Sequence, residues 1–235
     1  MAQRAAPPRL VLSCEHARGA VPPELRALFS GTAELRAGHR GHDAGALALA
    51  RSLARRLGCQ LHEGLWTRLV VDLNRPAGHP ALLGPALRRL TAAEQAAVLA
   101  RHWEPWHRAL RADLDRASLD GRVRHLSVHS FTPVWRGRPR AVGIGVLDDP
   151  RRPAERAWSA ALLAALREGL PGVVVRRNQP YRGWTPGAVS ALRAERGAGY
   201  QGLELEVSQA LLAGPEAAAV RRAVRVAVEA SLECA

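Results

Sequence analysis

The chain has 235 residues, 47% of them hydrophobic, enough for one sizeable core. No apolar run approaches the roughly 20 residues that span a bilayer, so no membrane partner is expected. The formal net charge of +13 is carried by arginine alone, without a single lysine, and is spread over many segments with few Tyr or Phe between them, which does not describe a nucleic-acid groove.

Met1–Pro8 lacks the apolar segment of a signal peptide, so a cytoplasmic location is expected. The first predicted strand, Leu10–Cys14, runs into Glu15 and His16, where Gly and Pro take over. Open α/β sheets hold their ligands beyond the carboxyl ends of strands, so the His16 imidazole is expected to face such a crevice. Cys14 reads as a small buried strand residue, with a nucleophile as the rival reading. Cys14, Cys59 and Cys234 are too few and too scattered for a disulfide framework or a thiolate zinc site.

Next comes Gly38-His39-Arg40-Gly41-His42-Asp43, ahead of a helix predicted over Asp43–Leu57. Asp43 can cap that helix or supply the carboxylate of a two-histidine, one-carboxylate zinc site, and spacing alone favours the cap. A strand predicted over Arg68–Leu73 leads to Asn74 and Arg75. A guanidinium there suits a substrate carboxylate, or an internal ion pair with Asp72. Thr91-Ala92-Ala93-Glu94 has the capping-box form and opens a helix over Thr91–Leu119 that Pro105 kinks or divides. His102, Trp103, Trp106 and His107 on it read as wall residues.

The strand Arg124–His129 ends, like the first, in a histidine followed by turn-formers, Ser130-Phe131-Thr132-Pro133. Strands over Ala141–Leu147 and Val173–Arg176 flank a helix over Pro153–Glu168. The loop that follows carries Asn178 and Tyr181, whose polar groups can reach substrate or simply make a turn. A helix over Pro186–Arg196 precedes the strand Leu203–Val207, and a helix over Pro215–Leu232 closes the pattern. Glu204 and Glu206 share one face of their strand, because side chains alternate along it. Either both lie on a solvated edge or both face something polar. Strands alternating with helices predict one α/β layered domain over residues 1–235.

Six segments, in order, resemble the N-formylglutamate amidohydrolase family: Ser13–Ala17, His39–Ala46, Arg68–Arg75, His129–Pro133, Asn178–Gly183 and Leu205–Val207. The family is distantly like zinc-dependent exopeptidases and aspartoacylase. The resemblance implies a three-layer α/β sandwich with a central mixed sheet, and a metal-dependent amidohydrolase acting on a small N-acyl acidic substrate such as N-formylglutamate. It implies zinc or another divalent metal held by His16, Asp43 and His129, with Glu15 as the alternative acidic ligand. Asn74, Arg75, Asn178 and Tyr181 become substrate-binding residues and Glu206 the general acid/base. Ser208 stands where many members carry an arginine, and the segment 185–200 lacks a histidine typical of them. A member that binds its ligand without turnover is therefore the alternative.

Overall fold

The computed structural model describes residues 9–119 and 122–233, so Cys234 and the first eight residues lie outside it. In chain order the elements are β1 (Arg9–Cys14), a 3-10 helix (Pro23–Phe29), α1 (Ala33–Ala37), α2 (Ala46–Leu57), β2 (Leu61–Glu63) and a 3-10 turn (Leu87–Arg89). There follow α3 (Ala92–His102), α4 (Glu104–Ser118), β3 (Val123–Phe131), β4 (Val134–Trp135), β5 (Arg138–Pro139) and β6 (Ile144–Leu147). Then come α5 (Pro153–Gly169), β7 (Val175–Arg177), α6 (Ala188–Arg196), β8 (Tyr200–Ser208), α7 (Gln209–Ala213) and α8 (Ala217–Glu233).

Six strands form one sheet in the order β2-β1-β3-β8-β6-β7. The first four run parallel, β6 is antiparallel to β8, and β7 is parallel to β6, so the sheet is mixed. Alternation along the strands divides its faces. Leu10, Leu12 and Cys14 of β1, Leu126 and Val128 of β3, and Leu203, Leu205 and Val207 of β8 pack with α2, α5 and α8 in the main core. Burying such an aliphatic side chain contributes about 1.5–3 kcal/mol. The intervening residues Ser13, His125, Ser127, His129, Glu204 and Glu206 are just as buried but polar. That face lies towards α4 and α6, where Leu110, Leu114, Leu192 and Tyr200 make a smaller core with Val11 and Val123. Among the described residues, no helix is long and apolar enough to cross a membrane.

Residues 68–73 do not form the expected strand. Thr67 turns the chain: its N–H donates to the Ala20 carbonyl, its hydroxyl to the Gly41 carbonyl, and its own carbonyl accepts from Val70. With their hydrogen bonds made locally, Val70, Val71 and Leu73 fill a satellite core with Phe29, Leu82 and Leu87, and only Val71 makes a lone bridge, to Leu83. The sheet edge belongs instead to β2. The helix expected over residues 91–119 divides at Trp103, with Pro105 in the first turn of α4, where its missing N–H is harmless. At its head the capping box between Thr91 and Glu94 is made.

Candidate metal centre

Three neighbouring parallel strands end at one edge. β1 delivers His16 just beyond its last residue, β3 carries His129, and β8 sets Glu206 in register beside His129. Asp43 arrives from the loop before α2, tied down by its own N–H to the His16 carbonyl at 2.9 Å. Asp43 Oδ2 lies 3.4 Å from His16 Nδ1 and 3.0 Å from His129 Nδ1, and also accepts from the Ser130 N–H at 3.3 Å. One ligating atom from each of His16, Asp43 and His129 lies within 4.8 Å of the other two, and all three residues are buried. Asp43 does not cap its helix. Gly45, at φ 83°, occupies the N-cap of α2 and no side chain caps it.

The far sides of both rings are engaged. His16 Nε2–H donates to Asp72 Oδ1 at 2.7 Å. His129 Nε2–H donates to Ser127 Oγ at 2.7 Å, and that hydroxyl donates to Glu15 Oε2, also at 2.7 Å. These bonds hold both rings so that each Nδ1 faces Asp43, the way outer partners orient histidine ligands; a cation bound there would take these nitrogens in their deprotonated form. Glu15, the alternative acidic ligand, stands behind His129, 3.4 Å from its Nε2 and on the ring edge away from the convergence point. It accepts a second bond from Ser13 Oγ at 2.8 Å, and Ser13 in turn accepts from His125 Nε2 at 2.7 Å. Cys14 points to the opposite face, into the main core, and burial raises its thiol well above the usual range, so it has no nucleophile's place.

Burial works against the charged form of every group here, and the neighbours decide the outcome. It pushes Asp43 and Asp72 upward, but His16 and His129 around Asp43, and His16 and Arg68 around Asp72, hold both carboxyls far below the usual range. It would depress His129, yet the Asp43 hydrogen bond and the charges of Glu15 and Glu206 lift that imidazole to about 10. Glu206 goes the other way. Burial, against the pull of His129 and with Asp43 and Glu204 adding to it, drives its carboxyl up to about 8. Its Oε2 is buried and has no hydrogen-bond partner. Two imidazoles and a carboxylate are a donor set for hydrolytic zinc, so the residues present fit a divalent cation.

A cavity of about 540 Å³ opens over this cluster. His16, Asp43, His129, Asn74, Arg75, Tyr181, Glu204 and Glu206 all line it; Asn178 and Ser208 do not. Arg75 Nη1 donates to the Pro186 carbonyl at 2.6 Å, and its buried Nε has no hydrogen-bond partner. The Asn74 side-chain oxygen Oδ1 accepts from the Ala188 N–H at 2.8 Å, holding the start of α6 against this loop. The wall residues of the α3–α4 junction grip the same segment: Trp103 Nε1–H donates to the Arg75 carbonyl at 3.1 Å and His107 Nε2–H to that of Leu73 at 3.0 Å. Asn178, at φ 52°, spends its side-chain oxygen Oδ1 on the N–H groups of Asp148 and Gly183, so it shapes the loop and does not line the cavity. Sequence reasoning overlooked Arg68, which donates to Asp72 Oδ2 at 2.8 Å and lies 3.9 Å from Asp43. The signal was its spacing of four residues from Asp72, which meets across a turn and not across a strand. Trp135 and Arg182, also in the lining, carried no positional signal.

A mixed α/β sheet whose strand ends bring together two histidines, an aspartate and an unpaired buried glutamate has the layout of a hydrolase with a candidate metal site. The family model of N-formylglutamate amidohydrolase (FGase) matches residues 8–213, and the chain belongs to that family. The gene product Atu2144 from Agrobacterium tumefaciens superposes with a TM-score of 0.76 at 28% identity, over 98% of this chain and 91% of that one. N-formylglutamate amidohydrolase from Ralstonia eutropha JMP134 shares the fold, with a TM-score of 0.66 at 22% identity over 97% of this chain and 94% of that one. No curated protein matches the sequence.

Proposed function

We propose that the chain is a metal-dependent amidohydrolase, with zinc the leading candidate, that cleaves the amide of an N-formyl or N-acyl acidic amino acid such as N-formylglutamate. The observation that carries this reading is the convergence of His16 Nδ1, Asp43 Oδ2 and His129 Nδ1 in a cavity that also holds the unpartnered Glu206 Oε2. His16, Asp43 and His129 would hold the cation, which supplies Lewis acidity to the amide carbonyl and makes a water more acidic.

The chain's own groups do the rest. Glu206 Oε2, in its carboxylate form, accepts the proton of the attacking water and returns it to the amine nitrogen as the C–N bond breaks; burial and the neighbouring carboxylates disfavour that form, and the charge of a bound cation would restore it. Arg75, with Arg68 nearby, binds the substrate carboxylate and so sets the amide over the three-residue cluster, turning binding into orientation. Asn74 and Tyr181 are the further substrate contacts.

Metal analysis and deformylation assays on wild type and Glu206→Gln test this. The variant should keep its metal and lose roughly 10²–10⁴-fold in kcat. An unchanged rate in the variant, or full activity after exhaustive chelation, would overturn the mechanism.

A further inference from the structure

Among the described residues the exposed Trp, Tyr and Phe side chains are three, and all belong to two segments beside the cavity: Trp135 of the β4–β5 hairpin (47% exposed), and Tyr181 (43%) and Trp184 (39%) of the loop before α6. Exposed aromatic surface gathered at a cavity marks a binding surface, since scattered exposure would place it elsewhere. Arg140 fastens the two segments together. Its guanidinium carbon lies 5.2 Å from the Trp135 ring centroid and 5.3 Å from those of Phe131 and Tyr181, and it donates to the Tyr181 hydroxyl at 3.2 Å. His39 meets Trp135 edge-on with centroids 6.2 Å apart. The stacked cation fixes these rings before any ligand arrives, which lowers the entropy lost on binding.

Phe131, Thr132 and Trp135 follow His129 along the same chain segment and line the cavity with Tyr181. Arg75 reaches Asp72 and the Pro186 carbonyl, at the far end of the loop that carries Tyr181. Arg75, the His16–Asp43–His129 cluster and the rings line one cavity, so a substrate with its carboxylate on Arg75 and its amide at the cluster would have the rings within the same enclosure as its acyl group. A formyl group, with one carbon, would leave them untouched, and about 540 Å³ is room of the size that holds drug-sized ligands.

We infer that the Phe131–Trp135–Tyr181 wall is an acyl subsite for a planar aromatic group, and that the substrate class is an N-aroyl acidic amino acid. This rests on the amide-hydrolysis reading above. In the reaction the amide C–N bond breaks, the water oxygen bonds to the carbonyl carbon, and the nitrogen takes a proton, giving an aryl carboxylate and a free acidic amino acid.

The test compares kcat/KM for N-benzoyl-, N-acetyl- and N-formyl-L-glutamate and N-formyl-L-phenylalanine. The benzoyl compound should lead the formyl and acetyl compounds by roughly tenfold, and Trp135→Ala, at an exposed hairpin site, should shrink the benzoyl-to-formyl ratio by a similar factor. Equal rates for the three glutamate compounds, a ratio unmoved by Trp135→Ala, or a preference for N-formylphenylalanine would each overturn the subsite. Calorimetry of N-benzoylglutamate on metal-loaded Glu206→Gln, with and without Trp135→Ala, separates the two readings. Ring-dependent binding with no turnover of any substrate by wild type rejects the hydrolase reading and supports the subsite, whereas no binding rejects the subsite.

Discussion

Each imidazole of the cluster has its outer nitrogen engaged, and the two are engaged differently. His16 donates directly to Asp72, a carboxylate also held by Arg68 and by the Asn74 N–H at 3.0 Å. His129 reaches its carboxylate, Glu15, through the Ser127 hydroxyl. Replacing Asp72 with Asn should weaken zinc affinity by about 10–100-fold, read by competition with a chromophoric chelator. Affinity equal to wild type would show that His16 needs no such support. Arg75→Lys keeps the charge and loses the planar fork, so KM for an acidic N-acyl substrate should rise by roughly tenfold with a smaller change in kcat. A kcat loss with unchanged KM would move Arg75 from binding to the chemical step.

Among the elements, α5, α6 and β8 are joined by one buried ion pair. Glu155, fully buried at 0% exposure, accepts from Arg193 Nε at 2.9 Å, Arg152 Nε at 2.9 Å and the Gly202 N–H at 3.1 Å. Arg193 spends its remaining donors on the carbonyls of Gly183 and Gly202. This knot fixes β8, and with it Glu204 and Glu206, against the loop that carries Tyr181. Arg193→Met should cost about 3–5 kcal/mol, seen as a lower urea midpoint, because it strips a buried carboxylate of its main partner.

Periodicity exposes such elements unequally. β1, β3 and β8 alternate over six to nine residues and were legible, together with the strand-end positions of His16, His129 and Glu206. β2 has only three residues, Leu61-His62-Glu63, too few for a pattern to form. The run Leu69-Val70-Val71 looks like a strand because its apolar residues feed a satellite core, a demand that periodicity cannot distinguish from a sheet. Asp43 was ambiguous for another reason: a cap and a ligand need the same short carboxylate at the same turn, and only the tertiary approach of His16 and His129 draws it away from the N-cap, which falls to Gly45. Trp135 entered the cavity unannounced because its hairpin is placed by contacts far away in sequence, among them the Arg140 stack shared with Tyr181.

At the scale of the molecule, a polar sheet face buried under helices ties stability to pH. Burial is the chief cause that lowers His107 and His125 to about 4, whereas an unfolded imidazole titrates near 6.5. Between those values the unfolded chain binds more protons, so stability rises with pH across the window and falls as pH drops through it. Denaturant titrations at pH 7 and pH 4.5 should differ by on the order of 2–3 kcal/mol for each histidine, and His125→Gln should remove its share of the slope. The raised Glu206 carboxyl contributes in the opposite sense over the same range, so the His125→Gln difference isolates the ring: a slope unmoved by that substitution would mean that His125 is already charged in the folded state. A divalent metal bound at the proposed His16–Asp43–His129 site would act in the other direction: at a thousandfold excess over Kd it should add about 4 kcal/mol, measured as a fall in Tm on chelation.

The strand order also sets a timetable for synthesis. β1 is flanked in the sheet by β2 and β3, and β3 pairs with β1 and β8, so residues 9–14 wait for residues 123–131, and these for residues 200–208. Contacts this remote in sequence form slowly and only after long loops have closed. A nascent chain halted near residue 190 would already hold His16, Asp43 and His129 but leave one flank of β3 bare, open to the wrong strand. Glu206 joins its histidine neighbour only once synthesis has passed residue 208, after the other three groups of the cluster have been made.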